Sequence, residues 1–148
     1  MFDTGSFRDG RFYRLGTHVD RLLRNCARGK VPHSFTREHI IETIRQTVAA
    51  TGLRDGAVRY YLTAGHGGWG WLPDECVEPG LYVSVIAPKG SAAEYGQSLK
   101  PELVGVVEKT VHPTLNRPKF LAQTKSNNYL LNVMCAMVRM PTLQTLMA

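Results

Sequence analysis

Cysteine is scarce in this 148-residue sequence, which contains three such residues. Cys26, Cys76 and Cys135 are far apart, no two of them form a CxxC pair, and no histidine lies at metal-ligand spacing. The odd number and the wide spacing argue against a disulfide framework and against a zinc site. We therefore predict a protein of a reducing compartment that binds no metal.

Long apolar runs are missing as well. No window approaches the roughly 18 apolar residues that a membrane span needs. The first twenty residues contain no apolar core of signal-peptide length. We therefore expect a soluble protein that is not secreted and has no membrane partner.

The composition sets the size of the core and the charge of the surface. With 43% apolar residues, the chain can bury one core but is too short for two domains of typical size. The formal charge is +6, and residues 1–45 hold nine Lys or Arg against five Asp or Glu. A positive potential favours anionic partners without choosing among nucleic acid, phosphates and carboxylates. Phe7, Phe12 and Tyr13 lie between the early arginines and could stack on bases, but packing in a hairpin explains them equally well.

The first half of the chain predicts an α+β layer. Asp9-Gly10 suits a tight turn between two short strands, and Met1 and Phe2 already belong to the first strand, so the start looks clipped. "AVRYYLTAG" and "GLYVSVIAP" predict two further strands, joined by the glycine-rich "GHGGWGWLPDECVEP". Two helices are predicted between the hairpin and these strands. The first is capped by Thr17 and ends at Gly29, and its buried face carries Val19, Leu22, Leu23 and Cys26. The second is capped by Thr36 and ends at Gly52, and its buried face carries Ile40, Ile41, Ile44 and Val48.

The second half predicts only part of a further domain. Residues 89–102 are polar and suit a linker, "LVGVVEKTV" reads as a strand, "HPTLNRPKFL" as a loop, and a third helix is predicted after Ser126. One strand and one helix cannot close a core. We therefore expect a small domain over residues 1–88, and over residues 89–148 a linker and the incomplete beginning of a larger domain.

Two side chains stand out as candidates for chemistry. Lys125 precedes the third helix, and it is either a solvated charge or an amine for covalent chemistry. The helix N-terminus and partial burial would favour the neutral amine, which attack on an aldehyde requires. Arg59 either faces inward to an anionic partner, such as phosphate or carboxylate, or faces solvent. The glycine-rich loop is equally compatible with a ligand-facing lid and an ordinary hairpin loop, and His18 and His66 suggest surface or structural roles.

Three motifs occur in a familiar order: "FDTGSFRDGRFYRLGTHVDRLLRNC" with its H-x-D-R-L segment, then "VRYYLTAG", then "KSNNYLLNV". In this order, from Phe2 to about Met137, the chain resembles the class IV pyridoxal-phosphate aminotransferases. This fold type IV group contains D-amino-acid aminotransferase, branched-chain aminotransferase and aminodeoxychorismate lyase. The resemblance implies a pyridoxal 5′-phosphate cofactor, amino transfer between an amino acid, D- or branched-chain, and a 2-oxo acid, a homodimer, and a location in the cytoplasm or a plastid.

The resemblance also implies roles for four residues. Lys125 would bind the cofactor covalently and then act as the acid–base group of the reaction. Arg59 would bind the cofactor phosphate, and Tyr129 would donate to the phenolic oxygen of the cofactor. Phe2 would line the substrate pocket.

The end of the sequence departs from the family pattern. A glutamate that pairs with the pyridine nitrogen lies further along in the family, and here "RMPTLQTLMA" follows instead, with Pro141 breaking the helix. We therefore expect a truncated form with impaired activity. Three alternatives stay open: an aminodeoxychorismate lyase-type enzyme, a non-catalytic fragment that binds full-length subunits and, last, a nucleic-acid-binding protein.

Overall fold

The computed structural model describes residues 1–69, 75–88 and 118–133 of the chain. A four-stranded antiparallel sheet with two long helices makes up most of these residues, which confirms the α+β class. Among the described helices, none has the length and apolar character needed to cross a membrane. Several predicted features lie outside the described residues. They are the linker at 89–102, the strand at 103–111, the loop up to residue 117, the third helix beyond residue 133 and the helix break at Pro141.

The chain begins with a tight β-hairpin. Strand β1 spans Phe2–Arg8 and pairs with the short strand β2, Arg11–Phe12. Asp9 and Gly10 join the two strands with φ angles of 51° and 73°, in the left-handed region that a two-residue hairpin turn requires. The predicted turn is therefore confirmed, and an ion pair from Arg54 to Asp9 ties it to the body of the domain.

Helix α1 spans Leu15–Arg28 and begins earlier than the sequence predicts. Arg14 is its N-cap, with a left-handed φ of 51°, and Thr17 lies within the first turn, so the prediction of a Thr17 cap is wrong. The physical reason is burial: Leu15 is 7% exposed and belongs to the core, so packing extends the helix past the best capping side chain. The predicted end at Gly29 is confirmed.

Helix α2 spans Arg37–Thr51, and both of its predicted ends are confirmed. The hydroxyl of Thr36 accepts a hydrogen bond from the backbone N–H of His39 at 3.2 Å, which satisfies one donor of the first turn. Gly52 ends the helix with a φ of 68°, a left-handed conformation that glycine adopts without strain.

Strands β3, Gly56–Leu62, and β4, Leu81–Ile86, complete the sheet in the order β2-β1-β3-β4. β3 is central and pairs with both β1 and β4, with Arg59 opposite Thr4 on one side and opposite Ser84 on the other. Since side chains alternate along a strand, the sheet has two faces, and α1 and α2 pack on one of them. The second, here called the open face, carries Phe2, Thr4, Ser6, Ala57, Arg59, Tyr61, Tyr82, Ser84 and Ile86.

The hydrophobic core lies between the sheet and the two helices. Each large apolar side chain buried there stabilises the fold by about 1.5–3 kcal/mol. Leu23 and Ile41, predicted as buried, are half-buried at the edge of this core. Its fully buried members are Val19, Leu22 and Cys26 from α1, Ile40 and Ile44 from α2, and Val58, Tyr60 and Leu62 from β3.

The helices in the segment at residues 118–133 lie at other positions than predicted. Lys119–Ala122 form a single helical turn, α3, directly after Pro118, where the sequence predicts a loop. The helix expected after Ser126 begins instead at residue 130. The backbone N–H of Tyr129 donates to the carbonyl of Asn127 at 2.8 Å, and this turn occupies the residues where the helix was expected to start.

Candidate active site

Three of the four predicted site residues meet at one end of the open face. The amine of Lys125 donates to the hydroxyl of Tyr129 at 3.0 Å and lies 4.7 Å from the centre of the Phe2 ring. The rings of Phe2 and Tyr129 are 5.3 Å apart. The backbone N–H of Phe2 points to the carbonyl of Lys125 at 3.5 Å, so the two segments also approach through their main chains. Residues more than a hundred positions apart thus form one cluster.

The structure changes the reason for singling out Lys125. The sequence suggests that a helix N-terminus directly follows this lysine, but the helix begins five residues later, at residue 130. The effect of a helix terminus falls off within one turn. The surroundings that matter are instead a phenol hydroxyl and two aromatic rings, which leave the lysine half-buried.

Arg59 lies near this cluster, on the open face of β3. Its Nε donates to the hydroxyl of Thr4 at 3.1 Å, and its guanidinium lies 5.6 Å from the centre of the Phe2 ring. Arg59 and Lys125 both contact the Phe2 ring. The separation of their charged groups is therefore at most the sum of their two distances from the centre of that ring. The side chain is exposed and faces away from the helices, which is the solvent-facing geometry that the sequence left open.

A pocket of about 230 Å³ opens beside Lys125. Among the described residues of its walls, Arg21 and Lys125 are cationic and none is a carboxylate. Because one water molecule occupies about 30 Å³ in the liquid, the space accommodates a phosphate-sized anion. Its walls are Arg21, Asn25, Ala122, Gln123, Thr124, Lys125 and Tyr129, so Arg59 is not among them.

Sequence reasoning missed a buried charge cluster behind this pocket. The carboxylate of Asp3 is fully buried and accepts hydrogen bonds from Nε and Nη2 of Arg21, each at 2.6 Å. The backbone N–H of Thr4 donates to it at 2.7 Å, and Nδ1 of His18 lies 3.2 Å away. The signal was available: Asp3 falls on the inward phase of β1, and His18 and Arg21 are three residues apart on α1.

The electrostatics of the cluster favour the ion pair. Burial alone would raise the pKa of Asp3, but hydrogen bonds from Arg21, Thr4 and His18 outweigh it and lower the pKa below its ordinary value. The same contact with Asp3 raises the pKa of Arg21. Both groups therefore stay charged at neutral pH.

A second contact that the sequence did not reveal fastens the lysine segment to α1. The guanidinium of Arg28 lies 5.5 Å from the Phe120 ring, and its Nη1 and Nη2 donate to the backbone and side-chain oxygens of Gln123 at 3.4 and 3.3 Å. The buried Thr124 closes the turn, with its hydroxyl donating to the carbonyl of Phe120 at 2.8 Å. These contacts hold the wall of the pocket in place.

Neither His66 nor Cys26 belongs to the described walls of the pocket, whereas His18 contacts Asp3 and Arg21 behind it. His66 pairs with Val77 through the backbone where the glycine-rich loop leaves β3. Residues 70–74 of that loop lie outside the described part of the chain, so the lid hypothesis is untested. Cys26 is buried in the core. Within residues 1–69, 75–88 and 118–133, no three His, Cys, Asp or Glu side chains gather as metal ligands do.

Comparison with known proteins identifies the family. The model of the family described as "Amino-transferase class IV" matches residues 1–137. The chain is 38% identical over 137 residues to a chloroplastic D-amino-acid transaminase of Arabidopsis thaliana, a match covering 93% of this chain and 34% of that protein. It is 30% identical over 78 residues to a putative branched-chain-amino-acid aminotransferase of Methanocaldococcus jannaschii, covering 53% of this chain and 27% of that protein.

A solved structure supports the fold. The crystal structure of 4-amino-4-deoxychorismate lyase from Pseudomonas aeruginosa superimposes with a TM-score of 0.52 at 24% identity, over 66% of this chain and 35% of that one. The chain spans about a third of the length of these relatives. With the family model covering nearly all of the sequence, the chain belongs to the class IV aminotransferase family.

Proposed function

We propose that this chain is the lysine-bearing part of a pyridoxal-phosphate-dependent aminotransferase. The reaction would move an amino group between an amino acid, D- or branched-chain, and a 2-oxo acid. Members of the class IV family depend on this cofactor, and the chain carries the family pattern over residues 1–137. The observation that carries the proposal is the meeting of the Lys125 amine with the Tyr129 hydroxyl beside a cationic pocket.

The side chains around the pocket fit the chemical groups of pyridoxal phosphate. When bound, this cofactor supplies an aldehyde that reacts with amines and a ring that draws electrons from the substrate's alpha carbon. Lys125 offers the primary amine for covalent attachment. The described walls of the pocket beside it offer positive charge and no carboxylate, which suits a phosphate.

Lys125 has two roles in the proposed reaction. Its Nζ would hold the cofactor covalently in the resting enzyme. Once a substrate amine has replaced it, Nζ would serve as a base that takes the proton from the alpha carbon of the substrate. Both roles require the neutral amine, and both require a fixed position, which the hydrogen bond to Tyr129 provides.

Tyr129 and Phe2 shape the surroundings of that amine. The Tyr129 hydroxyl accepts from Lys125 and has its own proton left to donate, in line with its predicted bond to the phenolic oxygen of the cofactor. The Phe2 ring covers one side of Lys125 and is itself 8% exposed, so it keeps water from that side of the amine. This position also suits the predicted role of Phe2 in the substrate pocket.

Two arginines compete for the cofactor phosphate. The sequence resemblance assigns this anion to Arg59, which lies on the open face against Phe2. The geometry favours Arg21, because this residue lines the same pocket as Lys125. Arg21 uses Nε and Nη2 in its hydrogen bonds to described residues, which leaves Nη1 for a further acceptor. We therefore propose Arg21 as the phosphate-binding residue and Arg59 as a second anion-binding group near the site.

The domain organisation and the assembly are part of the same proposal. Residues 1–88 would form the small domain, and residues 89–148 a linker and the beginning of the larger one. Because the chain spans about a third of its relatives, complete activity would need the further residues that those proteins have. We also propose that the complete protein forms a homodimer and is located in the cytoplasm or a plastid.

The test is covalent trapping of the cofactor on a defined lysine. The purified chain is titrated with pyridoxal phosphate, absorbance is followed, borohydride fixes the adduct, and mass spectrometry maps it. We expect saturable labelling at Lys125 and none there in Lys125→Ala. Lys119→Ala is the matched control, because Lys119 is an exposed lysine six positions away and should leave the labelling of Lys125 unchanged.

Either outcome is informative. Diffuse labelling of many lysines, with the same total in Lys125→Ala, would contradict the proposal. If Lys125 is labelled, addition of an amino acid and then a 2-oxo acid separates transamination from the lyase reaction, which would release pyruvate from aminodeoxychorismate instead.

A further inference from the structure

We propose that Asp3 is a positioning residue that holds the guanidinium of Arg21 at the wall of the pocket shared with Lys125. The inference rests on the proposed function, because it concerns the anion that this pocket would bind. It assigns to a fully buried carboxylate a role in recognising the cofactor phosphate, although Asp3 does not line the pocket itself.

The contact between Asp3 and Arg21 is bidentate, and this pair is called the clamp below. Both oxygens of Asp3 accept from Arg21, through Nε and Nη2, so the planar guanidinium is held at two points. An arginine on a helix surface otherwise moves among many rotamers, and this freedom would be lost on binding an anion. With Asp3 in place, most of that ordering has occurred before any ligand arrives.

The carboxylate is held as firmly as the arginine. The backbone N–H of Thr4 donates to Oδ1 at 2.7 Å, and Nδ1 of His18 lies 3.2 Å from the same oxygen. Nδ1 of His18 also lies 3.1 Å from Nη2 of Arg21. Depending on the tautomer of His18, this nitrogen donates to Asp3 or accepts from Arg21, and in both cases it keeps the guanidinium in the same place.

The two side chains of the ion pair differ in their exposure to solvent. Asp3 is fully buried, whereas the side chain of Arg21 is 44% exposed and reaches the pocket. A buried ion pair is a weak source of stability, since the loss of hydration offsets much of the attraction. An arginine presented to a pocket by a buried partner is better explained as a binding group with a fixed direction.

The register of β1 joins this clamp to the reactive lysine. Because neighbouring residues of a strand point to opposite faces, Phe2 packs against Lys125 on the open face and Asp3 contacts Arg21 on the helix side. Two consecutive residues of one strand therefore contact the two cations of the pocket. A small shift of β1 would move the amine and the guanidinium together.

The experiment compares two aldehydes that differ by the phosphate. Borohydride trapping at Lys125 is measured against concentration for pyridoxal phosphate and for pyridoxal, in wild type and in Asp3→Asn. We expect the variant to need about ten-fold more pyridoxal phosphate for half-trapping, the effect of weakening one charge-assisted hydrogen bond, and an unchanged amount of pyridoxal. Inorganic phosphate should compete with pyridoxal phosphate in wild type and less so in the variant.

Asp20→Asn is the matched control. Asp20 also lies against an arginine, with Nε of Arg37 donating at 2.7 Å, but outside the pocket. This variant should trap both aldehydes as wild type does. Equal weakening of both aldehydes in Asp3→Asn would reduce Asp3 to a general structural role and overturn the inference. The inference would also be overturned if the ratio of the half-trapping concentrations of pyridoxal phosphate and pyridoxal were the same in Asp3→Asn as in wild type.

Three further outcomes complete the test. If Asp3→Asn does not fold, Asp3→Glu, which keeps the charge and displaces it by one methylene, is used in its place, and an unchanged ratio there overturns the inference. If wild type traps neither aldehyde at Lys125, the proposed function fails and takes the inference with it. Normal trapping with no preference for the phosphate-bearing aldehyde in wild type refutes the inference alone.

Discussion

Replacing Tyr60 with phenylalanine should stabilise the protein. Tyr60 is fully buried at the centre of β3, and its hydroxyl has no hydrogen-bond partner among the described residues. A buried hydroxyl without a partner costs roughly 1–3 kcal/mol relative to the same group in water. Tyr60→Phe keeps the ring and its packing and removes only that group. We expect the free energy of unfolding to rise by about 1 kcal/mol at neutral pH.

The same reasoning predicts a pH dependence. Burial raises the pKa of Tyr60 above its ordinary value, and the nearby charge of Asp3 adds to the effect. In the unfolded chain the phenol loses its proton above about pH 10, while the folded state still binds that proton. Stability therefore falls as the pH rises above this value, by up to about 1.4 kcal/mol per pH unit, and is unaffected by this group below it. Phenylalanine abolishes that loss, so its advantage should widen from about pH 10 upward.

The measurement is denaturant unfolding of both proteins from neutral pH to about pH 11. Tyr82→Phe is the matched control: Tyr82 is 60% exposed on β4, so its hydroxyl is largely solvated and its removal should leave stability within about 0.5 kcal/mol of wild type. A Tyr60→Phe variant that is less stable at neutral pH would show that the hydroxyl has a partner. A difference that stays flat above about pH 10 would refute the pKa argument.

Two further predictions concern helix capping and sheet packing, both read from thermal or denaturant unfolding. Thr36→Ala should lower the free energy of unfolding by about 1 kcal/mol, because it removes the cap of α2. Thr17→Ala should leave the free energy of unfolding unchanged, and an equal loss in both variants would mean that Thr17 caps α1. Gly56→Ala should lower the free energy of unfolding by about 1–3 kcal/mol, because the new Cβ would come 2.7 Å from the carbonyl oxygen of Ile86. Gly5→Ala is the control, since among the described residues its Cβ would meet a methyl group at 3.8 Å. Similar losses in both variants would refute the clash.

The family assignment changes how the open face of the sheet is understood. Tyr82 and Ile86 are 60% and 42% exposed there, next to the half-buried Tyr61. In an isolated domain, apolar side chains of this size on one face would favour association. Since the chain spans about a third of its relatives, this face and the site at its end are best tested together in a protein that carries the remaining length.

The sequence predicted local structure well and long-range contacts poorly. The hairpin turn, the end of α1, both ends of α2 and strands β3 and β4 were all confirmed. Errors occurred where packing competes with local preference. Leu15 extends α1 past the expected cap, and the contacts around Lys125 and Tyr129 accompany a later helix start. The candidate lysine itself was reached through its resemblance to a family motif, since its position before an expected helix pointed equally to a solvated charge.

By itself, the sequence determined the elements, because turn residues and hydrophobic periodicity act over a few neighbouring positions. Only the tertiary structure decided which elements meet. The approach of the segment at residues 118–133 to β1 places Lys125 beside Phe2, and the packing of α1 on β1 buries Asp3 against Arg21. These contacts join residues from distant parts of the chain or from different elements, and no local rule determines their distances. The choice of Arg21 over Arg59 as the arginine beside the pocket therefore depended on the folded chain.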